Sequence, residues 1–242
     1  MLVDAAFVGV TAAAALAGLV RGFSGFGAAM VFVPIAGALY SPEQAVVLLF
    51  LTDTVVSLPL LPPAFARCTW REVAPLTAGA TLLVPVGVEV LLVADPIAMR
   101  WTISLLVLAF TGLMASGWRY AGKPSVPASV AVGGAAGLAG GMASLFGPPV
   151  ILFWLGGRAN VPTVRANILA FFGLVTVVSA VTYLANGMIT RASLVMALVL
   201  MPVYALGVVL GARGFALASE RAFRFLALAL CGLAALGTLP VW

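Results

Sequence analysis

The stretch RGFSGFGAAMVFVPI, Arg21–Ile35, holds three glycines, a serine and a proline directly after an apolar run. That run is long enough to be a membrane helix. Glycine and proline both weaken helices in water, so their concentration beside a spanning segment asks for a reason. Working outward, apolar segments recur along the whole chain, at roughly 2–20, 24–40, 43–64, 72–94, 97–118, 126–144, 147–157, 161–186, 191–213 and 217–240. The seventh is too short to cross as an ideal helix, and the second contains Pro34 just after the glycine cluster.

Composition agrees with this reading. The 242 residues are 64% hydrophobic and 8% charged, with a mean hydropathy of +1.22. No soluble domain of that size hides so much apolar surface, and the short alternating segments of a membrane β-barrel are absent. The first segment follows Asp4 with no basic region before it, so the expectation is no cleavable signal peptide. The net charge of +5 comes from basic residues set singly between apolar runs. It reads as membrane orientation, with the lipid bilayer as partner and no nucleic acid. Cys68 and Cys231 lie in unrelated segments and the chain has no histidine, so neither a disulfide, a metal site nor a cofactor is expected.

The two halves of the chain resemble each other. GLVRGFSGFGAAMVFVP (Gly18–Pro34) is similar to GLAGGMASLFGPPVILF (Gly137–Phe153). Pro42 of SPEQAVVLLF aligns with Pro162 of VPTVRANILAFF, VPVGVEVLL (Val84–Leu92) with MPVYALGVVL (Met201–Leu210), and FTGLMASG with LCGLAALG. Four matches at an offset of about 120 residues predict an internal repeat, 1–120 and 121–242. If all ten segments cross, starting outside, one side receives Arg21, Arg67, Arg71, Arg119, Lys123, Arg158, Arg165, Arg213, Arg221 and Arg224. The other receives only Arg100 and Arg191. Treating the second and seventh segments as re-entrant would divide the charges almost evenly. The positive-inside rule therefore favours five crossings per half, with both chain ends outward. The expected fold is an all-α integral membrane protein of about 8–10 transmembrane segments, in two inverted-topology repeats with discontinuous Gly/Pro-rich helices.

The paired glycine clusters, Gly22, Gly25 and Gly27 against Gly140, Gly141 and Gly147, permit close helix packing. As paired interruptions they also expose backbone N–H groups and half-helix N-termini that suit an anion. The candidate substrate-binding residues are Arg21, Gly22, Phe23, Ser24, Gly25, Gly27, Ser144, Phe146, Gly147 and Asn167, in a site lined by dipoles rather than a fixed buried cation. Asp53, in LFLTDTVVS, is a costly carboxylate in the middle of a segment. With Thr52 beside it, Asp53 is the candidate for proton coupling or for shaping the site, and its repeat counterpart is near Gly173. Glu89 reads as snorkelling or as a structural pair with Arg100. Trp70, Trp101, Trp118 and Trp242 fit an aromatic belt. No nucleophile elbow, phosphate loop or metal cluster is present, and GFSGF spaces its glycines wrongly for a hydrolase serine. The reading is not an enzyme.

On the Gly-rich segment that leads to a proline in each half, the proline-led helix after it (SPEQAV, VPTVRAN) and the GL-x-x-x-G endings, the chain resembles the TauE/SafE family of sulfite exporters across nearly its whole length. It departs from the family's small-polar step early in the proline-led helices, which reads Ala45-Val46-Val47 and Ala166-Asn167. The resemblance implies a secondary transporter of small anions such as sulfite, thiosulfate or organosulfonates like sulfoacetate, multi-pass in a bacterial cytoplasmic membrane. The alternatives are a passive anion or small-solute channel and a non-transporting accessory protein.

Overall fold

The structure, a computed structural model, describes residues 4–120, 122, 125–155, 160–217 and 220–241, without the side chains of 161, 215–217 and 220–224. Lys123, Arg158 and Trp242, and the side chains of Arg221 and Arg224, lie outside the described residues. Within them the chain is helical and has no strand: α1 (Ala5–Ser24), α2 (Ala28–Leu39), α3 (Pro42–Ser57), α4 (Leu61–Arg67), α5 (Trp70–Val93), α6 (Pro96–Ala115), α7 (Val126–Ala143), α8 (Gly147–Trp154), α9 (Val161–Ala185), α10 (Arg191–Leu217) and α11 (Glu220–Gly237).

Local chemistry sets the helix starts. Asp4 caps α1 by accepting from the Phe7 N–H at 2.8 Å, and Asn160 caps α9 by accepting from Thr163 at 2.9 Å. Asp95 takes the Ile97 and Ala98 N–H groups at 3.0 Å as α6 begins. Pro42, Pro96 and Pro162 stand in first turns, where proline removes no helical hydrogen bond.

Among the described residues, seven helical stretches are long and apolar enough to cross a membrane. α3 and α4, joined by a 3₁₀ turn (Leu58–Leu60), form one of them, Pro42–Arg67. Leu82, Val177, Val181 and Leu198 point outward along these helices, as a lipid-facing surface requires. Trp70, Trp101 and Trp118 are exposed at or near helix ends. The two short helices are α2 and α8, of 12 and 8 residues, each directly after a glycine-rich break.

The first break reverses the chain. Gly25 (φ +77°) ends α1 and Gly27 (φ +89°) precedes α2, both in the left-handed region that glycine adopts without strain. α2 then runs back along α1, because Gly9 faces Leu39 at the far end of α2. Beyond it Tyr40 comes near Asp4, and partial burial together with that carboxylate raises the Tyr40 phenol above its usual range. The interruption is thus the tip of a helical hairpin rather than a gap within one continuing helix.

The chain divides into two compact units, residues 1–53, 93–112 and 188–242, and residues 54–92 and 113–187. Each draws helices from both sequence halves. In the first, α1 packs on α10: a Cβ on Gly18 would meet the Tyr204 carbonyl, one on Gly22 the Val208 carbonyl, and one on Gly211 the Leu19 carbonyl. In the second, α5 packs on α7 in the same way, with Gly133 against Leu76, Gly141 against Val84 and Gly87 against Leu138. The contact numbers rise together on both partners, so each pair is parallel. Between helices in lipid no hydrophobic driving force acts, and backbone proximity supplies the dispersion contact instead. The second unit also holds an aromatic core in which Trp154 meets Phe171 edge-on and Tyr120 tilts against Phe153.

Alanine at Gly22 or Gly133 would drive a methyl into a backbone carbonyl that has no rotamer to yield. Overpacking of this kind costs about 1–3 kcal/mol. Gly112, whose added Cβ would meet nothing within 4 Å, is the control, and alanine there should be neutral or stabilising. Thermal unfolding of the detergent-solubilised variants checks the order.

Candidate functional site

The hairpin tip of the first unit carries a buried charge cluster. Arg21 lies in the last turn of α1, where a cation complements the helix dipole, and one of its terminal nitrogens, Nη1, donates to the Gly25 carbonyl. Its Nε donates to Asp53 Oδ1 at 2.9 Å. The Tyr204 hydroxyl of α10 donates to the same oxygen at 2.6 Å. Oδ2 of Asp53 has no hydrogen bond among the described residues. The Arg21 side chain is 9% exposed and that of Asp53 30%, so the carboxylate is the accessible end of the pair. Close packing explains the arrangement: the α1–α10 contact at Gly18 sets Tyr204 one helical turn from Arg21.

The neighbouring candidates have local roles. The Ser24 hydroxyl donates to the Val20 carbonyl at 2.7 Å, accepts from the Phe26 N–H at 3.3 Å and lies against the Phe26 carbonyl. Phe23 and Gly22 flank it on α1, with Phe23 half-buried. Gly27 gives the first turn of α2 no side-chain cap, and the Met30 N–H donates to the Gly27 carbonyl at 3.1 Å. Thr52 is buried and returns its hydroxyl to Leu48 at 2.8 Å and Leu49 at 3.1 Å, within its own helix.

The second unit holds a different cluster. Ser144 ends α7 at φ 55°, the one non-glycine residue with positive φ among those described, and its side chain is within hydrogen-bonding reach of Tyr183. Phe146 precedes α8 and seats its ring where a Cβ on Gly140 would go. Gly147 opens α8, with Pro148 next, so this helix start offers fewer N–H donors than α2. Asn167 is fully buried: its Oδ1 accepts from the Thr69 N–H at 2.7 Å and its Nδ2 donates to Glu72 Oε2 at 2.9 Å. It ties α9 to the start of α5.

The repeat register shows how unequal the halves are. The left-handed caps pair Gly25 with Ser144, and the matching contacts pair Gly22 with Gly141 and Val208 with Val84. These pairings place Gly140 and Ala80 opposite Arg21 and Tyr204, and the Pro42–Pro162 alignment places Gly173 opposite Asp53. The space at Gly140 is taken by Phe146, and Gly173 faces Leu61 and Phe65. The charged triad has no second copy.

A family model described as sulfite exporter TauE/SafE matches residues 10–238. The chain belongs to the TauE/SafE family. No curated protein and no solved structure matches it. As a TauE/SafE protein with seven helices of spanning length, it is a multi-pass membrane transporter of the sulfite-exporter type.

Three polar residues of these clusters escaped the sequence reading: Tyr204, Tyr183 and Glu72. Tyr204 stood inside a recognised repeat motif, MPVYALGVVL, and a phenol within an apolar helix was the available signal. In sequence Arg21 is both an orientation charge and a binding candidate, in a site expected to lack a fixed buried cation; the structure buries Arg21 against the Asp53 carboxylate. Arg100 points one terminal nitrogen at the Thr238 carbonyl, 3.4 Å away, and Glu89 is exposed.

Asp53→Ala removes the charge that compensates Arg21 and should cost up to about 3–5 kcal/mol. Tyr204→Phe removes one hydrogen bond to a charged group and should cost about 1.5–3 kcal/mol. A double-mutant cycle read by thermal unfolding should show the two losses to be less than additive, since both act through Asp53 Oδ1.

Proposed function

We propose that this protein is a secondary carrier of small sulfur-containing anions, namely sulfite, thiosulfate or organosulfonates such as sulfoacetate, in a bacterial cytoplasmic membrane. The observation that carries the reading is a guanidinium buried at a hairpin tip, next to the uncapped N-terminus of α2. A cation beside a helix N-terminus suits an oxyanion. The cargo would meet Arg21 and the backbone of Gly22, Phe23, Ser24, Gly25 and Gly27. In the second unit, Ser144, Phe146, Gly147 and Asn167 surround the corresponding break, with Asn167 acting as a brace for α9. Asp53 would couple transport to protons, and Thr52 would hold α3 in register beside it.

The sequence halves 1–120 and 121–242 serve this reading as inverted repeats. The parallel packing of α1 on α10 and of α5 on α7 supports it, since each unit takes one glycine-lined helix from each half. Carriers built from such repeats expose a site alternately to each side by rocking one bundle against another.

Counterflow in proteoliposomes tests the proposal. Liposomes loaded with unlabelled thiosulfate should take up labelled thiosulfate faster than empty ones, and the rate should saturate. A plain monocarboxylate should compete poorly. Flux that rises linearly with concentration and gains nothing from internal anion would point to a passive channel. No flux of any sulfur anion through folded protein would remove the substrate class.

A further inference from the structure

We infer that the cargo anion and the Asp53 carboxylate compete for Arg21, so that binding one anion makes the protein take up one proton. The inference rests on the carrier reading above and specifies how its coupling works.

The geometry carries the argument. Arg21 is nearly enclosed, and its charge is answered by Asp53 at 2.9 Å. A neutralised guanidinium attracts an anion weakly. An anion that approached while Asp53 stayed ionised would put two negative charges on one buried cation, which the low-dielectric surroundings penalise. Protonating Asp53 removes that conflict. Its Oδ2, open among the described residues and on the more exposed partner of the pair, is the atom to receive the proton. The balance is simple: an ionised Asp53, Arg21, one proton and one anion give a neutral carboxylic acid and an Arg21–anion pair. No covalent bond forms other than O–H.

The surroundings leave Asp53 as the group that takes the proton. Among the described residues, Arg21 on α1 and Tyr204 on α10 are the charged and titratable groups facing it. α2 carries none. On α3 Glu43 lies in the first turn, far from Asp53, and on α10 Arg213 is exposed more than two turns beyond Tyr204. The described side chains of α11 include Cys231 as the one titratable group. Tyr204 keeps its hydrogen bond to Oδ1 in either protonation state. It therefore holds the acid in place when Arg21 is given up, which makes it a positioning residue.

Linkage fixes the sign. The protonated form binds the anion better, so affinity rises as pH falls, by about tenfold per pH unit where the anion-free Asp53 is ionised. The probe must not bring its own proton, which favours thiosulfate over sulfite near neutral pH.

The experiment is isothermal titration of the full-length protein in detergent with thiosulfate, in two buffers of different ionisation enthalpy, which counts protons taken up per anion bound. The wild type should take up about one. Asp53→Asn should bind thiosulfate with no proton uptake, and the anion should raise its unfolding temperature more than it does for the wild type. The double variant Arg21→Gln with Asp53→Asn should lose both effects. Binding by the wild type without proton uptake overturns the inference, as does a double variant that binds like the wild type. Should Asp53→Asn fail to fold, the wild-type proton count decides alone. Failure of wild-type binding would also overturn it, and counterflow then shows whether the carrier reading stands. Saturable exchange without proton uptake sinks only this inference.

Discussion

Backbone-to-backbone contact between helices is the constraint on which the rest of this structure depends. α1 lies against α10, and α7 against α5, so closely that a single methyl on Gly22 or Gly133 would strike a carbonyl of the neighbour. In lipid, where apolar side chains gain nothing by leaving solvent for protein, such proximity is the available source of cohesion. The glycines do two separate jobs. Those on helix faces permit approach, while Gly25 and Gly27 permit reversal, because their left-handed backbone turns α1 into α2 within a few residues.

The charge cluster follows from that packing. Gly18 brings the α10 backbone near enough for Tyr204 to reach Asp53, and the return of the chain through α2 into α3 carries Asp53 to the level of Arg21. A buried ion pair contributes little net stability once desolvation is counted. Its presence in a membrane is better understood through what separating it permits. The sequence-matched positions Gly140, Ala80 and Gly173 carry no such cluster. The second unit is braced by Asn167 and an aromatic core; beyond the α5–α7 packing, its Gly140 makes room for Phe146 and its Gly173 for Leu61 and Phe65.

Much of the fold was legible in the chain. The apolar segments match the observed helices to within a few residues at most ends, because run length and first-turn residues such as Pro42, Asp95 and Asn160 are local signals. The two breaks were visible as glycine clusters followed by proline. What they did was not visible, since a glycine that turns the chain back and one that merely opens a helix look alike in sequence. The site was legible in part. Arg21, Ser24, Asp53 and Asn167 each drew attention as polar groups in apolar context, yet Thr52 and Ser24 prove to spend their hydroxyls on backbone nearby, and Tyr204 passed as part of a helix.

Sequence alone determined that this is a helical membrane protein with a glycine-rich interruption early in each half, since composition and apolar run length are written along the chain. Only the tertiary structure decided which residues meet. Asp53 finds its partners 32 and 151 positions away along the chain, in Arg21 and Tyr204. Each compact unit is assembled by exchange of helices between the halves. No local propensity encodes such pairings. They emerge when small residues let particular helix backbones approach, and that approach selects which buried charge is answered and by what.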